Sequence, residues 1–491
     1  MDDALESELK WEIKNKELQR INNKRAKLAE IAATYEAQVE NLVASKTTYE
    51  NIQYLINDIE DHIEKARPIN NFDRIAKKDI ERTIYALKTY YDFFEPKKET
   101  PKSKRTTIQQ VLTALYGTEE TPNVYQSLIA RLGNFKDDLQ HQYDTILDNV
   151  ETYTLERNTD NNIKRAKEVL QTIKPHLEDY IRAIGLYDEN FKYELDIAPI
   201  LYEFSGYWKS GTKEAGINEE DVYFYRDKKS TNVFKGVLYL TAIHELLGHG
   251  VAQRLSENAM PNGMNYGAEG FMMPTHSMVS EGVAVMTEKL CMNWFKKKKN
   301  ELGLTNKELK IMYMAPEVYL QKRIAQICHS IFHVEEDRKP NFKAHKQLAK
   351  ITGIKRYGID EYLFDDCSLT SMLEFINYPM GYKHIEGIMA DIRKKYGLIF
   401  ERRNRNLILR GLLTASMTPD AQKEFFFTEY MPRVEKYFNK RKGDRTMSIP
   451  TKAEVKTEEL DKEKPDTQQK TEEMATEQKI AEKSPLQQNN P

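Results

Sequence analysis

The sequence predicts a mainly α-helical protein with at most a small sheet. Three observations carry this. Its 491 residues include only 21 glycines and 17 prolines, so few positions interrupt regular backbone. Apolar residues recur at helical spacing over much of the chain up to about residue 440. Strand-like runs are scarce, and Val222-Tyr223-Phe224-Tyr225 is the best of them.

Composition excludes several function classes. Hydrophobic residues make up 40 % of the chain, enough for a core, and the net charge of −2 gives no global attraction to nucleic acid or membrane. No apolar run approaches the roughly 20 residues that span a bilayer. The acidic start, Met1 to Ser7, reads as neither signal nor transit peptide. The basic runs Lys296–Lys299 and Arg402–Arg405 read as solvated helix ends. Three widely separated cysteines, Cys291, Cys328 and Cys367, fit a reducing compartment and read as small buried hydrophobes, so a cytoplasmic location is expected.

Taken in order, residues 3–65 lack Pro and Gly and read as one long N-terminal helix. Ile21, Leu28, Tyr35, Leu42, Tyr49, Ile56 and Ile63 recur every seven residues, like one seam position of a heptad. The companion positions include Arg25, Lys46, Gln53 and Glu60. The seam is therefore either a route to self-association or an amphipathic face packed on the protein's own helices. Pro68 closes that helix, and residues 75–95 form the next, with Ile80, Ile84, Leu87, Tyr90 and Tyr91 on one side. After a polar loop, residues 107–117, 123–153 and 160–185 read as helices. Val222–Tyr225 reads as an edge strand able to hold an extended peptide by main-chain hydrogen bonds. Residues 258–280 read as loop, broken by Pro261, Gly263, Gly267, Gly270 and Pro274. Helices follow at 281–300, 306–338, 342–352, 368–397 and 418–440. Residues 449–491 contain almost no large apolar groups and read as a disordered tail. The expected segments are thus 1–67, 68–230, 231–440 and 441–491.

The chemistry-bearing motif is His244-Glu245-Leu246-Leu247-Gly248-His249-Gly250, directly after the apolar run Gly236–Ile243. Two neutral imidazoles bind Zn²⁺ in such motifs, and the Glu beside the first takes a proton from the metal-bound water. In the common His-Glu-x-x-His spacing the histidines lie one turn apart. Here the gap is one residue longer. At roughly 100° per residue, that pair diverges by about 140° on a regular α-helix. An i→i+5 π-bulge restores the alignment, and Gly248 is the residue best able to take strained backbone.

His-Glu-Leu-Leu-Gly-His resembles the zinc motif of dipeptidyl peptidase III. The longer stretch Ala242–Gln253 resembles the metal helix of a bacterial gluzincin family of unassigned function, without that family's Pro and doubled His. The tyrosine carboxypeptidase group, with His-Glu-x-x-Thr-His, is also similar. The resemblance covers less than half the chain and implies a helical gluzincin metallopeptidase whose third ligand is a Glu in a later Glu-Gly-x-Ala segment. Ser280-Glu281-Gly282-Val283-Ala284 fits this, so the implied zinc ligands are His244, His249 and Glu281, with Glu245 as general base.

Gluzincins usually supply a Tyr or His from a later helix to the developing oxyanion. The segment Asn377–Gly387 resembles a Tyr-x-x-Gly region late in the unassigned family, and Tyr382 and His384 are the candidates within it. Residues Arg323–His333 resemble a zinc-facing helix of that family, without its Asp-x-Gly-Leu-His. His329 and His333 share a helix face there, and His333 reads as a pocket residue. Glu288, two turns after Glu281, reads as an orienter of a zinc imidazole. Arg323 or Lys383 could face a substrate carboxylate. The expected function is zinc-dependent hydrolysis of peptide or protein substrates, with no nucleic acid partner. Carboxypeptidase and dipeptidyl-peptidase types stay open. The alternative is a non-catalytic helical scaffold with a vestigial metal site. The tail's Lys470–Glu477 stretch resembles glutamate-rich type IV secretion signals, against a plain solvated tail.

Overall fold

The computed structural model describes residues 8–40, 46–94, 106–134, 153–155, 160–187, 194–198, 207–209, 214–218, 231–233, 235–261, 274–336 and 376–442, with isolated positions between 139 and 146 and at 264. These are overwhelmingly helical, as the sequence predicts. Among the described residues, no helix is long and apolar enough to cross a membrane.

The N-terminal region departs from the expected single helix. Residues 10–15 carry no regular structure, and burial alternates there: Leu9, Trp11 and Ile13 are buried, while Lys10, Glu12 and Lys14 are exposed. The two-residue period is that of an extended chain. Trp11 N–H donates to the Ala259 carbonyl at 2.9 Å. The amides of Lys14 and Asn15 donate to the Asp73 carboxylate at 2.7 and 3.1 Å. Two helices follow, α1 (Lys16–Glu40) and α2 (Lys46–Ile63). They pack side by side, and Lys24 bonds to Asp58. In one continuous helix those positions would stand about 50 Å apart, so the region is a hairpin. The heptad seam is buried inside the chain at Ile21, Leu28, Ile56 and Ile63. Arg25, the misfit of the seam, pairs with Asp79 on α3 (Asn71–Phe94).

Helix α4 (Ile108–Tyr116) starts at a capping box formed by Thr107 and Gln110. Helix α5 (Val124–Gly133) starts at Asn123, whose side chain accepts from Gln126 N–H. The expected helix 123–153 is corrected: α5 ends at Gly133, and Tyr153–Leu155 forms strand β1. Helix α6 covers Asp160–Ala183. Strands β2 (Glu194–Ala198), β3 (Tyr207–Lys209) and β4 (Glu214–Asn218) form a sheet of order β2-β4-β3. Strand β4 is parallel to β2 and antiparallel to β3. Strand β5 (Thr231–Val233) pairs with β1. Val222–Tyr225 lies outside the described residues. Strands β3 and β4 lie against the metal-motif segment, which is the small sheet expected there.

Helix α7 (Lys235–Ile243) runs without a break into the motif and on into α8 (Ala252–Ala259). Helix α9 spans Pro274–Lys297, starting seven residues before the expected Glu281 boundary. Proline is tolerated at a first helical position because its missing N–H would have no partner there. Helix α10 (Asn306–Glu336), α11 (Asn377–Tyr396), α12 (Leu398–Arg403), α13 (Arg405–Thr414), α14 (Pro419–Phe425) and α15 (Met431–Lys442) complete the order, with a short π-helical link at Phe426–Tyr430. The expected helix 342–352 and the tail 449–491 lie outside the described residues. The chain divides into two units, Met1–Met389 with Asn406–Tyr437, and Ala390–Arg405 with Phe438–Pro491. In the second, Arg393 pairs with Glu401, and Tyr396 stacks on Phe400 at 4.7 Å. Every site residue below belongs to the first.

Candidate metal centre

The site begins with the backbone of the motif. His244–Val251 is a π-helix eight residues long, not a single bulge. Its i→i+5 turns bring His244 and His249 to the same side, and their ring centroids lie 5.1 Å apart. The role expected for Gly248 is corrected. It is not among the glycines with positive φ. Its lack of a side chain serves proximity: a Cβ there would lie 2.5 Å from Ala284 Cβ on α9.

The same helix is approached as closely from its other side. A Cβ on Gly282 would collide with the Gly381 backbone of α11, and one on Gly381 with the Met278 carbonyl. Helix α9 is thus held between the π-helix at Gly248/Ala284 and α11 at Gly282/Gly381. Glu281 directly precedes Gly282 and lies three residues before Ala284, so its backbone is held by close helix contacts on both sides of α9.

The donor atoms converge. His244 Nε2 lies 3.2 Å from Glu281 Oε2, and His249 Nε2 lies 3.6 Å from Glu281 Oε1. One ligand atom from each residue falls within 4.8 Å of the others, and all three residues are buried. The far ring nitrogens are taken as well. His244 Nδ1 is 2.6 Å from Glu288 Oε1, and His249 Nδ1 is 3.0 Å from Ser280 Oγ. Each imidazole is therefore oriented through Nδ1 and presents Nε2 to the shared point. The role read for Glu288 from sequence matches this contact. Ser280 was not read, although its place beside Glu281, on the helix that must face the motif, was a usable signal.

Electrostatics favour a cation. Glu245, Glu281 and Glu288 surround two imidazoles in a mostly buried pocket. Burial alone would lower the His244 imidazole, but hydrogen bonds to Glu281 and Glu288 outweigh it and hold the group well above its usual range. Burial opposes ionisation of Glu281 too, yet His249 and His244 keep it well below the usual carboxylate range. Burial raises Glu245, partly offset by both histidines. Two nitrogens and one carboxylate is a donor set a divalent transition metal accepts with positions to spare.

The structure does not bring every expected residue to this point. Tyr382 is buried elsewhere: its hydroxyl accepts from Lys289 Nζ at 2.7 Å, and Lys289 and Arg131 lie over its ring at 4.0 and 5.2 Å. His384 Nε2 lies 2.9 Å from Gln422 Oε1. The contacts of these two residues among the described residues are thus with Lys289, Arg131 and Gln422 rather than with His244, His249 or Glu281. Lys383 bonds to Ser127. The side chains of His329 and His333 lie outside the described residues. Instead Tyr378, one turn before Tyr382, stacks on His244 at 6.1 Å and 25°. Tyr319 packs edge-on against Tyr378 at 5.5 Å, and the Arg323 guanidinium bonds to Tyr319 and lies 4.9 Å over its ring. Tyr378 and Tyr319 are partly exposed, whereas Arg323 is buried. The signal for Tyr378 was present, since Tyr378-Pro379-Met380-Gly381 is the Tyr-x-x-Gly string itself.

No protein-family model matches the chain, and none of the curated proteins does. Among solved structures, the chain is similar to a crystal structure from Colwellia psychrerythraea that carries a provisional lipoprotein name. The identity is 12 %, the TM-score 0.41, and the match covers 89 % of this chain and 78 % of that one. A likeness that distant carries no argument about function.

Proposed function

We propose that the protein is a zinc-dependent peptidase of gluzincin type. The observation that supports this most is the convergence of His244 Nε2, His249 Nε2 and the Glu281 carboxylate, with Glu245 in the same π-helix. His244, His249 and Glu281 would hold the zinc, which when bound supplies Lewis acidity to a water and to a substrate carbonyl.

The chain's own groups do the rest. Glu245, with its carboxyl raised by burial, accepts a proton from the attacking water and passes it to the leaving amine. The phenol of Tyr378, stacked on His244, donates to the oxygen that becomes negative. Tyr319, braced by Arg323, lines the same side. Strand β3 is the sheet edge lying against the π-helix, and among the described residues it pairs only with β4. An extended peptide adds to such an edge through main-chain hydrogen bonds. A scaffold with a vestigial metal site has no use for a base beside two oriented imidazoles.

The test is Glu245→Gln. The variant should keep about one zinc per chain and lose roughly 10²–10⁴-fold in hydrolysis of a peptide library. His249→Ala should lose stoichiometric zinc. Undiminished hydrolysis by the Gln variant would exclude the mechanism. Zinc content at the native level in His249→Ala would exclude the ligand assignment.

A further inference from the structure

Asn377, the first residue of α11, is 4 % exposed. It stands one residue past the N-cap position, which Ile376 holds, so helix capping does not account for an Asn here. Its Nδ2–H donates across to Ser277 Oγ on α9 at 3.1 Å, and its Oδ1 has no hydrogen-bond partner among the described residues. A buried amide that leaves one oxygen unsatisfied is destabilising compared with an apolar residue of the same shape. Something other than stability accounts for the polar choice.

The location supplies it. Ser277 lies one turn before Glu281 and shares its helix face. Gly381 lies one turn after Asn377 and meets Gly282, the neighbour of Glu281. The two helices are thus fixed at two points a turn apart, one polar and one a backbone contact. Tyr378 sits between these points, directly after Asn377, with its ring on His244. The glycine contact sets the distance between the helices, and the Lys289–Tyr382 bond ties them on its C-terminal side along α11. The Asn377–Ser277 bond is the polar tie on the other side of the crossing, at the end of α11 that carries Tyr378.

We propose that Asn377 and Ser277 form a positioning pair that holds the Tyr378 phenol in register with the metal ligands. The pair touches neither substrate nor metal and acts through Tyr378. The proposal rests on the peptidase reading and assigns how that site holds its oxyanion donor.

The experiment is a double-mutant cycle on the full chain, using a peptide that the wild type is seen to cleave from an unmodified synthetic library. Ser277→Ala should lower kcat about ten-fold, with KM little changed and zinc content unaltered. Ser277→Thr, which keeps the hydroxyl, should restore most of the rate. In a Tyr378→Phe background, Ser277→Ala should have almost no further effect, because there is no phenol left to position. Ser277→Cys, close in volume, serves in the same cycle if the Ala variant folds poorly. Equal losses in both backgrounds, or full activity in Ser277→Ala, would overturn the positioning role alone. A wild type that cleaves no peptide in the library would overturn the peptidase reading and this proposal together.

Discussion

Glu288 Oε1 lies 2.6 Å from His244 Nδ1, on the same helix that delivers Glu281 to His244 Nε2. One helix therefore supplies both the third proposed ligand, Glu281, and the carboxylate that orients the first, His244. Glu288→Gln should keep the fold and lower zinc affinity about 10–100-fold, the usual loss when an outer carboxylate is removed. Competition with a chelator of known affinity measures this directly. An unchanged affinity would mean that His244 is oriented by its π-helical backbone alone.

Gly282→Ala tests the close crossing of α9 and α11. The new Cβ would collide with the Gly381 backbone, which cannot swing aside as a flexible side chain could. Overpacking of this kind typically costs about 1–3 kcal/mol, and more where backbone must shift. The melting temperature should fall by several degrees, and zinc should bind more weakly because Glu281 moves with its neighbour. An Ala variant as stable as the wild type would show that the helices separate easily.

The buried pair of Arg25 and Asp79 predicts an asymmetry. Asp79 also accepts from Thr418 N–H at 2.6 Å and lies 3.4 Å from His276 Nε2. Asp79→Leu strands a buried guanidinium and should cost about 3–5 kcal/mol. Adding Arg25→Met to that variant should recover part of the loss. Chemical denaturation of the single and double variants separates the two terms.

Stability should fall between about pH 6.5 and 4, and His384 is the reason. Burial pulls its imidazole down to about 4, although Gln422 opposes this. The folded value lies below the unfolded one, so the unfolded chain binds more protons in that window. The effect is of order 2 kcal/mol after allowance for the ring's partial exposure. Asp79 acts further down: burial opposes its charge, but Arg25 and His276 hold its carboxyl well below the usual range. Its contribution is therefore present above about pH 3.8 and lost below it. His384→Gln should flatten the upper part of the profile only. Thermal midpoints measured across pH check this, and an unflattened curve for the variant would exclude the assignment.

What was legible in the sequence depended on whether one segment carried the signal. The histidine spacing alone demanded π-type turns, because no regular helix aligns His244 with His249. Glu281 was legible through its own short motif. The hairpin was not, because a heptad pattern specifies a buried stripe and not the chain that covers it. Arg25 looked like a flaw in that stripe until Asp79, far along the chain, appeared opposite it. Tyr378 and Tyr382 are four residues apart, so periodicity places both near one face. The structure sets them apart: Tyr378 stacks on His244, whereas Tyr382 is engaged by Lys289 and Arg131. No pattern within the helix encodes those two partners.

The π-helix also bears on how motifs of different length relate. An extra residue in a loop changes where the loop's ends can go, but here it lies within continuous helix. Deleting Leu247 would shorten the histidine gap to the spacing at which an ordinary α-helix aligns two imidazoles. The segment could then relax to regular turns with both ligands still facing α9, and downstream residues would shift by about one position. A one-codon deletion therefore separates this motif from the commoner His-Glu-x-x-His form. The two spacings thus differ by one residue inside a continuous helix rather than by a change of scaffold.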